Sequence, residues 1–153
     1  MDKFDNLLFE LGKILNVELH PDQNRSCLMV INDEYRVQLE MDGRDDSLLF
    51  GSLIHEIPPG RFRENVLKDA LKYNNIPPPQ RIGTLGYIDK INVLSLFDFL
   101  EGHSLAPQKV ADHLSRFIEC LIAWKQALRS NLTSPPDMIE KAPKKPSIFD
   151  VRP

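Results

Sequence analysis

The side chains that could perform chemistry are few in this sequence, and their spacing matches no catalytic or metal-binding motif. The four histidines do not form H-E-x-x-H, and the two cysteines do not form a CxxC pair. No G-x-S-x-G segment provides a nucleophilic serine. We therefore expect surface histidines, buried reduced cysteines, no catalytic residue, no metal and no cofactor. The residues concerned are His20, His55, His103, His113, Cys27 and Cys120.

Two further segments look like ligand-binding loops but depart from the known patterns. Gly83 and Gly86 have part of the spacing of a phosphate loop, yet no Lys-Ser or Lys-Thr pair opens a helix after them. Their position in a strand-like run indicates a bulge or a close backbone approach instead. Asp42, Asp45 and Asp46 surround a glycine but lack the distal glutamate of a calcium loop. We interpret this acidic segment as a solvated turn.

The composition is that of a weakly acidic globular protein, with a net charge of −3, 42% apolar and 27% charged residues. Such a chain has no general attraction to nucleic acid or anionic lipid, and no apolar run is long enough for membrane insertion. Acidic residues interrupt the first apolar segment, which is not typical of a secretory signal. We therefore expect the protein to reside in a reducing cytosol.

The apolar pattern predicts one domain over residues 1–132 and a tail over residues 133–153. Helical spacings of three and four alternate with strand-like runs in the order helix, three strands, helix, two strands, helix. Five of the twelve prolines fall in the tail, so we expect it to be dispensable for folding, although it carries the apolar pair Ile148 and Phe149. The predicted segments are helix 4–15, strands 27–32, 35–41 and 48–57, helix 62–73, strands 82–88 and 91–100, and helix 107–128.

The first two predicted strands have different patterns. Residues 27–32 are apolar from Cys27 to Ile31, which is typical of a buried strand, whereas residues 35–41 alternate apolar and polar side chains like a half-solvated strand. A two-residue turn at Asp33 and Glu34 joins them into a hairpin. This hairpin offers a sheet edge to which an extended peptide could add a strand.

The order of elements, with the segment GTLGYIDKINVLSLFDFLEGHSL before the apolar helix RFIECLIAWKQAL, resembles the class I type III secretion chaperones, the Tir-chaperone and YopE-chaperone-like proteins. The resemblance covers residues 1–132. It implies an α+β fold, α-β-β-β-α-β-β-α, in which helices pack on a twisted antiparallel sheet. It also implies a homodimer in the bacterial cytoplasm that has no ATPase activity and takes part in virulence.

The function implied by the resemblance is binding of the N-terminal segment of a secreted effector, which is kept non-globular, soluble and secretion-competent. The implied partners are a second copy of the chain, the effector, and the secretion ATPase or its sorting platform. The implied dimer elements are residues 61–73 and 85–96. The effector-binding candidates are Leu8, Phe9, Leu11, Cys27, Met29, Ile31, Phe50 and Ile54. The dimer-interface candidates are Phe62, Val66, Leu67, Leu71, Leu85, Tyr87, Val93 and Ser95.

Two other classes of function stay open from the sequence. A non-catalytic adaptor of the same fold would bind a folded protein partner, and a small-molecule enzyme or ligand carrier is disfavoured because no catalytic motif is present. Burying an unpaired charge is costly. We therefore expect charged substitutions at Leu8 or Phe9 to weaken effector binding, and charged substitutions at Leu85 or Tyr87 to favour the monomer.

Overall fold

The computed structural model describes residues 2–138 as three α-helices, a short 3₁₀-helix and five strands. The elements are α1 (Lys3–Leu15), β1 (Ser26–Ile31), β2 (Tyr35–Met41), β3 (Ser47–Glu56), α2 (Arg61–Asn74), β4 (Thr84–Ile88), β5 (Val93–Glu101), the 3₁₀-helix (Gly102–Leu105) and α3 (Pro107–Arg129). The strands form one antiparallel sheet in the order β1-β2-β3-β5-β4, so β1 and β4 are its edges. The predicted α+β class and order of elements are confirmed. Among residues 2–138, no helix is long and apolar enough to span a membrane.

The first helix forms because its apolar residues repeat at three and four and both of its ends are capped. The Asp2 carboxylate accepts a hydrogen bond from the Phe4 N–H at 2.8 Å, which satisfies a donor of the first turn. Asn16 ends α1 in the left-handed conformation, with φ of 57°. The chain then folds back so closely that a Cβ on Gly12 would stand 2.6 Å from the Val17 carbonyl oxygen.

One face of the sheet packs against α3, which in turn packs against α1, and the hydrophobic core lies between these elements. In β2 every second residue is buried and the residues between are exposed, which confirms the predicted alternation. Phe50 of β3 contacts Phe117 of α3, with ring centroids 5.8 Å apart. The single tryptophan, Trp124 of α3, is fully buried edge-on against Tyr73 of α2.

The opposite face of the sheet is largely exposed. Leu28 and Val30 of β1 lie on it, as do Leu53 of β3 and Phe99 of β5, and all four side chains are about half exposed. The interpretation of residues 27–32 as a buried strand is therefore wrong. β1 is an edge strand with apolar side chains on both faces, and a continuous apolar run does not distinguish that case from burial.

One turn differs from its sequence prediction, and one pair of glycines agrees with it. The hairpin between β1 and β2 has a three-residue loop, not the predicted two, because Ile31 pairs with Tyr35. The expected close approach at the two glycines before β5 is confirmed. A Cβ on Gly83 would stand 2.8 Å from the Leu96 side chain, and Gly83 also has a positive φ of 73°.

The start of the predicted tail packs against the helices. We call residues 132–138 the C-terminal strap. The Thr133 hydroxyl donates to the Asp69 carboxylate of α2 at 2.7 Å, Pro135 is buried, and Met138 packs on the core. These contacts fasten α2 to the end of α3. The Ile148 and Phe149 pair lies outside the described residues.

Truncation of the chain should show that the strap contributes to stability. A chain that ends at Leu132 loses the hydrogen bond to Asp69 and the burial of Pro135 and Met138, which we expect to lower the free energy of unfolding by about 2 kcal/mol. A chain that ends at Met138 keeps every one of these contacts and is the matched control. Thermal unfolding of both chains measures the difference. Equal midpoints would contradict the role of the strap and would restore the expectation from the sequence that residues 133–153 are dispensable.

Candidate functional site

In the part of the chain that the structure describes, the outer backbone of β1 is bonded only at its start. The Asp22 N–H donates to the Ser26 carbonyl oxygen at 2.7 Å, and the Ser26 N–H donates to the Asp22 carboxylate at 3.0 Å. Outward-pointing groups recur at every second residue of an antiparallel strand, so the next ones belong to Leu28 and Val30. Within residues 2–138, no turn or loop backbone group bonds to either of these residues. Their N–H and C=O groups are therefore available to a further strand.

An apolar groove of about 410 Å³ runs beside this open edge. Met29 and Ile31 of β1 are half-buried along it, and Glu18 adds a carboxylate. The remaining walls come from the end of α1, the loop after it and one face of α3. The apolar residues of these walls are Leu15, Val17, Leu19, Leu114 and Ile118. The open backbone of β1 thus has an apolar groove on one side and the exposed Leu28 and Val30 side chains on the other.

The exposed apolar surface continues from the groove onto α1. Val17 lines both the groove and a shallow pocket on α1 that also includes Phe9 and Lys13. The Lys13 ammonium lies 4.3 Å from the centre of the Phe9 ring, which is close enough for a cation–π contact. Ile14 is exposed on the same helix. A partner chain at the β1 edge could therefore extend along α1 without leaving apolar surface.

The other edge of the sheet is partly closed. The Asn74 side chain at the end of α2 both donates to the Leu85 carbonyl oxygen and accepts from the Leu85 N–H, each at 2.9 Å. Nearby, Arg63 of α2 donates to the Tyr87 hydroxyl at 2.8 Å, and that hydroxyl donates to Asn92 at 2.6 Å. Because α2 occupies this edge, β1 offers the longer open stretch.

The outer face of α2 carries its own apolar surface. Leu71 is exposed on it, and Leu67, one turn earlier, is half-buried. The helix packs inward through Val66, Ala70 and Tyr73, and Phe62 and Leu67 also contact the core. A helix with apolar residues left on its outer side is suited to packing against another protein surface.

The model of the Tir chaperone protein (CesT) family matches residues 6–125, from α1 into the last third of α3. The chain belongs to this family. Both the β1 edge and α2 lie inside the matched region. No curated protein is similar enough in sequence to count as a match.

Solved structures with the same fold agree with this assignment. The Yersinia pestis type III secretion chaperone SycH, in complex with a stable fragment of YscM2, is 16% identical with a TM-score of 0.63, over 78% of this chain and 97% of that one. A chain of the HopA1–SchA chaperone–effector complex is 19% identical with a TM-score of 0.60, over 82% and 94%. A chain of the ExoU–SpcU complex of Pseudomonas aeruginosa is 16% identical with a TM-score of 0.60, over 82% and 96%. At these identities the similarity establishes the shared fold.

In this CesT-family chain the predicted effector-binding residues occupy three different settings. Phe9 is exposed on α1, and Met29 and Ile31 line the groove. The others are buried in the core of the protomer, namely Leu8, Leu11, Cys27, Phe50 and Ile54. The sequence pattern did not single out Leu28, Val30 or Asp22. The signal for the first two was present, since the apolar run continues without a break from Cys27 to Ile31.

The predicted dimer-interface residues are also divided. Val66 and Leu85 are buried inside the protomer, and Leu71 is exposed on α2. The half-buried members of the set are Phe62, Leu67, Tyr87, Val93 and Ser95. Arg63 and Asn74, which fasten α2 to β4, were missed because their contacts join residues distant in sequence.

The buried reactive groups of the described chain are held in protonated form. The Tyr73 hydroxyl donates to the Ile82 carbonyl oxygen at 2.6 Å and lies 3.2 Å from the Cys120 sulfur. Burial raises the pKa of Cys120 to about 11 and also raises the pKa of Tyr73 and of Cys27. A protonated thiol is a poor nucleophile. Among residues 2–138, no cluster of His, Cys, Asp and Glu is arranged to hold a metal ion.

One acid–base pair, not predicted from the sequence, joins α3 to the sheet. The His113 Nε2 atom lies 2.8 Å from the Asp98 carboxylate, which also accepts hydrogen bonds from the N–H groups of Gly83 at 3.0 Å and Phe99 at 2.9 Å. Burial alone would raise the pKa of Asp98. The hydrogen bond to His113 and those from the backbone outweigh burial and hold that pKa below its usual value.

Replacement of Asp98 by asparagine should change how stability depends on pH. Because the folded-state pKa is lowered, the charged carboxylate stabilises the fold above its unfolded-state pKa of about 4, and this contribution disappears as the pH falls through the folded-state value. We expect Asp98→Asn to cost about 2 kcal/mol near neutral pH and to flatten the loss of stability in acid. Urea unfolding at a series of pH values measures both effects. Parallel curves for the two proteins would contradict the role of Asp98, and Asp112→Asn on the exposed side of α3 is the control.

Proposed function

We propose that this protein is a type III secretion chaperone that binds the N-terminal segment of one or more secreted effectors. It holds that segment in a non-globular, soluble and secretion-competent state, in the cytoplasm of a bacterium, and catalyses no reaction. The observation that carries the proposal is the open β1 edge, whose free backbone groups lie between an apolar groove and exposed apolar side chains. Such an edge suits an extended chain better than a folded surface, because main-chain hydrogen bonds supply affinity without a preformed partner shape.

Family membership supports the same proposal. SycH is described in complex with a fragment of YscM2, and the HopA1–SchA structure is described as a chaperone–effector complex. The chain shares their fold and matches a chaperone family model over most of its length. Contact with the secretion ATPase or its sorting platform stays a prediction from the family resemblance.

The proposal includes a homodimer built around α2. Leu71 projects from this helix, and Leu67, one turn earlier on the same side, is half-buried. The exposed Phe99 and the half-buried Phe97 of β5 pack against one another, with ring centroids 6.3 Å apart, and add apolar surface on the open sheet face. Burial of these surfaces against a second copy would remove apolar area that the protomer leaves in water.

Capture of the bound protein tests the proposed function. The tagged full-length chain is isolated from the cytosol of its own bacterium, and the co-purified protein is digested gently and mapped. We expect protection of a segment near the N-terminus of a secreted protein, because a bound extended chain is shielded only where it contacts the chaperone. A co-purified partner that stays folded and shows no protected N-terminal segment would favour the adaptor function in its place.

A further inference from the structure

The β1 edge differs from an ordinary amphipathic edge because it is apolar on both faces. All four residues from Leu28 to Ile31 line the groove, but the register places the Met29 and Ile31 side chains on the core face of the sheet and those of Leu28 and Val30 on the open face. In an added strand, successive side chains also point to opposite faces. Every position of that strand would therefore meet apolar surface, and a polar residue at any position would lose its hydration there.

The length of the added strand is limited at both ends. Asp22 already bonds both outer backbone groups of Ser26, and the three-residue hairpin loop begins directly after Ile31. Only the stretch from Leu28 to Ile31 is open. A strand paired with it has about four residues in register.

The charges around this stretch are mostly acidic. Glu18 lines the groove, Asp22 stands at the Ser26 end, and Asp33 is exposed in the loop at the other end. Glu34 is paired with Arg129 of α3. A basic residue also lies on the open face, namely Arg36, which is cross-strand from Val30. Basic residues before and after the added strand would meet the acidic groups at its two ends.

We infer, on the basis of the proposed function, that β1 binds an effector segment of about four consecutive apolar residues flanked by Lys or Arg. An amphipathic strand with alternating polar and apolar residues fits this edge less well. Asp22 fixes the register of the added strand because it blocks pairing at Ser26.

Synthetic peptides test this specificity directly. The host sequence is Lys-Ser-Gly-(block)-Gly-Ser-Lys, and the blocks are Ile-Val-Ile-Val, Ile-Ser-Ile-Ser and Ser-Ile-Ser-Ile. Titration is followed by NMR of the ¹⁵N-labelled full-length chain, since short peptides bind weakly. We expect the continuous block to bind about tenfold more tightly than either alternating block. Amide exchange should slow at Leu28 and Val30 and stay unchanged at Ser26, whose N–H is already bonded.

Other results of the titration would overturn the inference. Equal affinity of the alternating and continuous blocks would show that the edge has no specificity for apolar runs. NMR chemical-shift changes confined to β4 would show that the peptide binds at the other edge. If a peptide whose two Lys residues are replaced by Glu binds with equal affinity, basic flanks are not required for binding. A decrease of binding at high salt for the Lys peptide alone would support them.

A matched pair of variants separates this inference from the proposed function. In the double variant Leu28→Ser and Val30→Ser, the continuous block should bind no more tightly than the stronger of the two alternating blocks. Leu53→Ser is the control, because Leu53 is 52% exposed on the same face, close to the 53% of Leu28, but lies on the central strand β3. If the double variant captures effector segments as well as the wild type, the inference is wrong and the chaperone function stands. If the wild type captures no such segment, the chaperone function fails, and the peptide series still reports on the edge itself.

Discussion

Leu85→Asp should unfold the protomer, whereas Leu71→Asp should leave it folded and convert a dimer into a monomer. Leu85 is only 5% exposed and its backbone is held by Asn74, while Leu71 is 69% exposed on α2. An unpaired carboxylate at Leu85 would cost about 4 kcal/mol or more, a large part of the stability of a typical domain. The same group at Leu71 stays in water in the monomer and becomes costly only when a second copy covers it.

Light scattering and thermal unfolding distinguish these two outcomes. The Leu71 variant should show half the mass of the wild type and an almost unchanged unfolding midpoint. Asn65→Asp, an exposed position elsewhere on α2 with the same change of charge, should keep the mass of the wild type. A wild-type chain that is monomeric at micromolar concentration, or a Leu71 variant that stays dimeric, would contradict the α2 interface. The burial of Leu85 inside the protomer corrects the expectation from the sequence that a charge there would favour the monomer.

Phe9→Asp should weaken effector capture by about tenfold, or 1.4 kcal/mol, without unfolding the chain. Phe9 is 54% exposed on α1, next to the surface that continues from the β1 groove. A bound effector would bury the aromatic ring, and a carboxylate in its place would have to lose its hydration. Quantitative co-purification of the mapped effector segment with wild type and variant measures the change.

Two comparisons make the Phe9 result specific. Leu8→Asp, at a position that is 1% exposed, should yield unfolded or insoluble protein, so it cannot report on binding. Ile91→Asp changes a similarly exposed apolar residue in the turn between β4 and β5, and this variant should capture the effector normally. Normal capture by Phe9→Asp would show that α1 serves the core alone and that the effector binds elsewhere.

The order of helices and strands followed from local patterns, and these are properties of the sequence itself. Helical spacing in α1 and α3 and the alternation in β2 arise because each element must turn one face from water. The end signals are also local, as with Pro107 at the start of α3. For the same reason the lack of a catalytic motif and the family resemblance are both visible in the sequence.

The tertiary structure decided which apolar residues form the core and which remain for a partner. Periodicity identifies side chains that avoid water, but a core and an interface satisfy that requirement equally. Leu8 and Phe9 are neighbours in sequence, and only the packing of α1 on α3 buries the first and exposes the second. In the same way, Leu85 and Leu71 were assigned to one surface, although one lies inside the protomer.

The open edge itself is a consequence of long-range pairing. β5 pairs with β3 and leaves β4 outside it, so the sheet ends at β1 on one side and β4 on the other. Asp22 and Asn74 then close part of each edge with their side chains. The sequence by itself determined the elements, their apolar faces and the family. Only the tertiary structure decided that Leu28 and Val30 keep free backbone groups, because strand order and edge contacts join residues whose separation along the chain leaves no local signal.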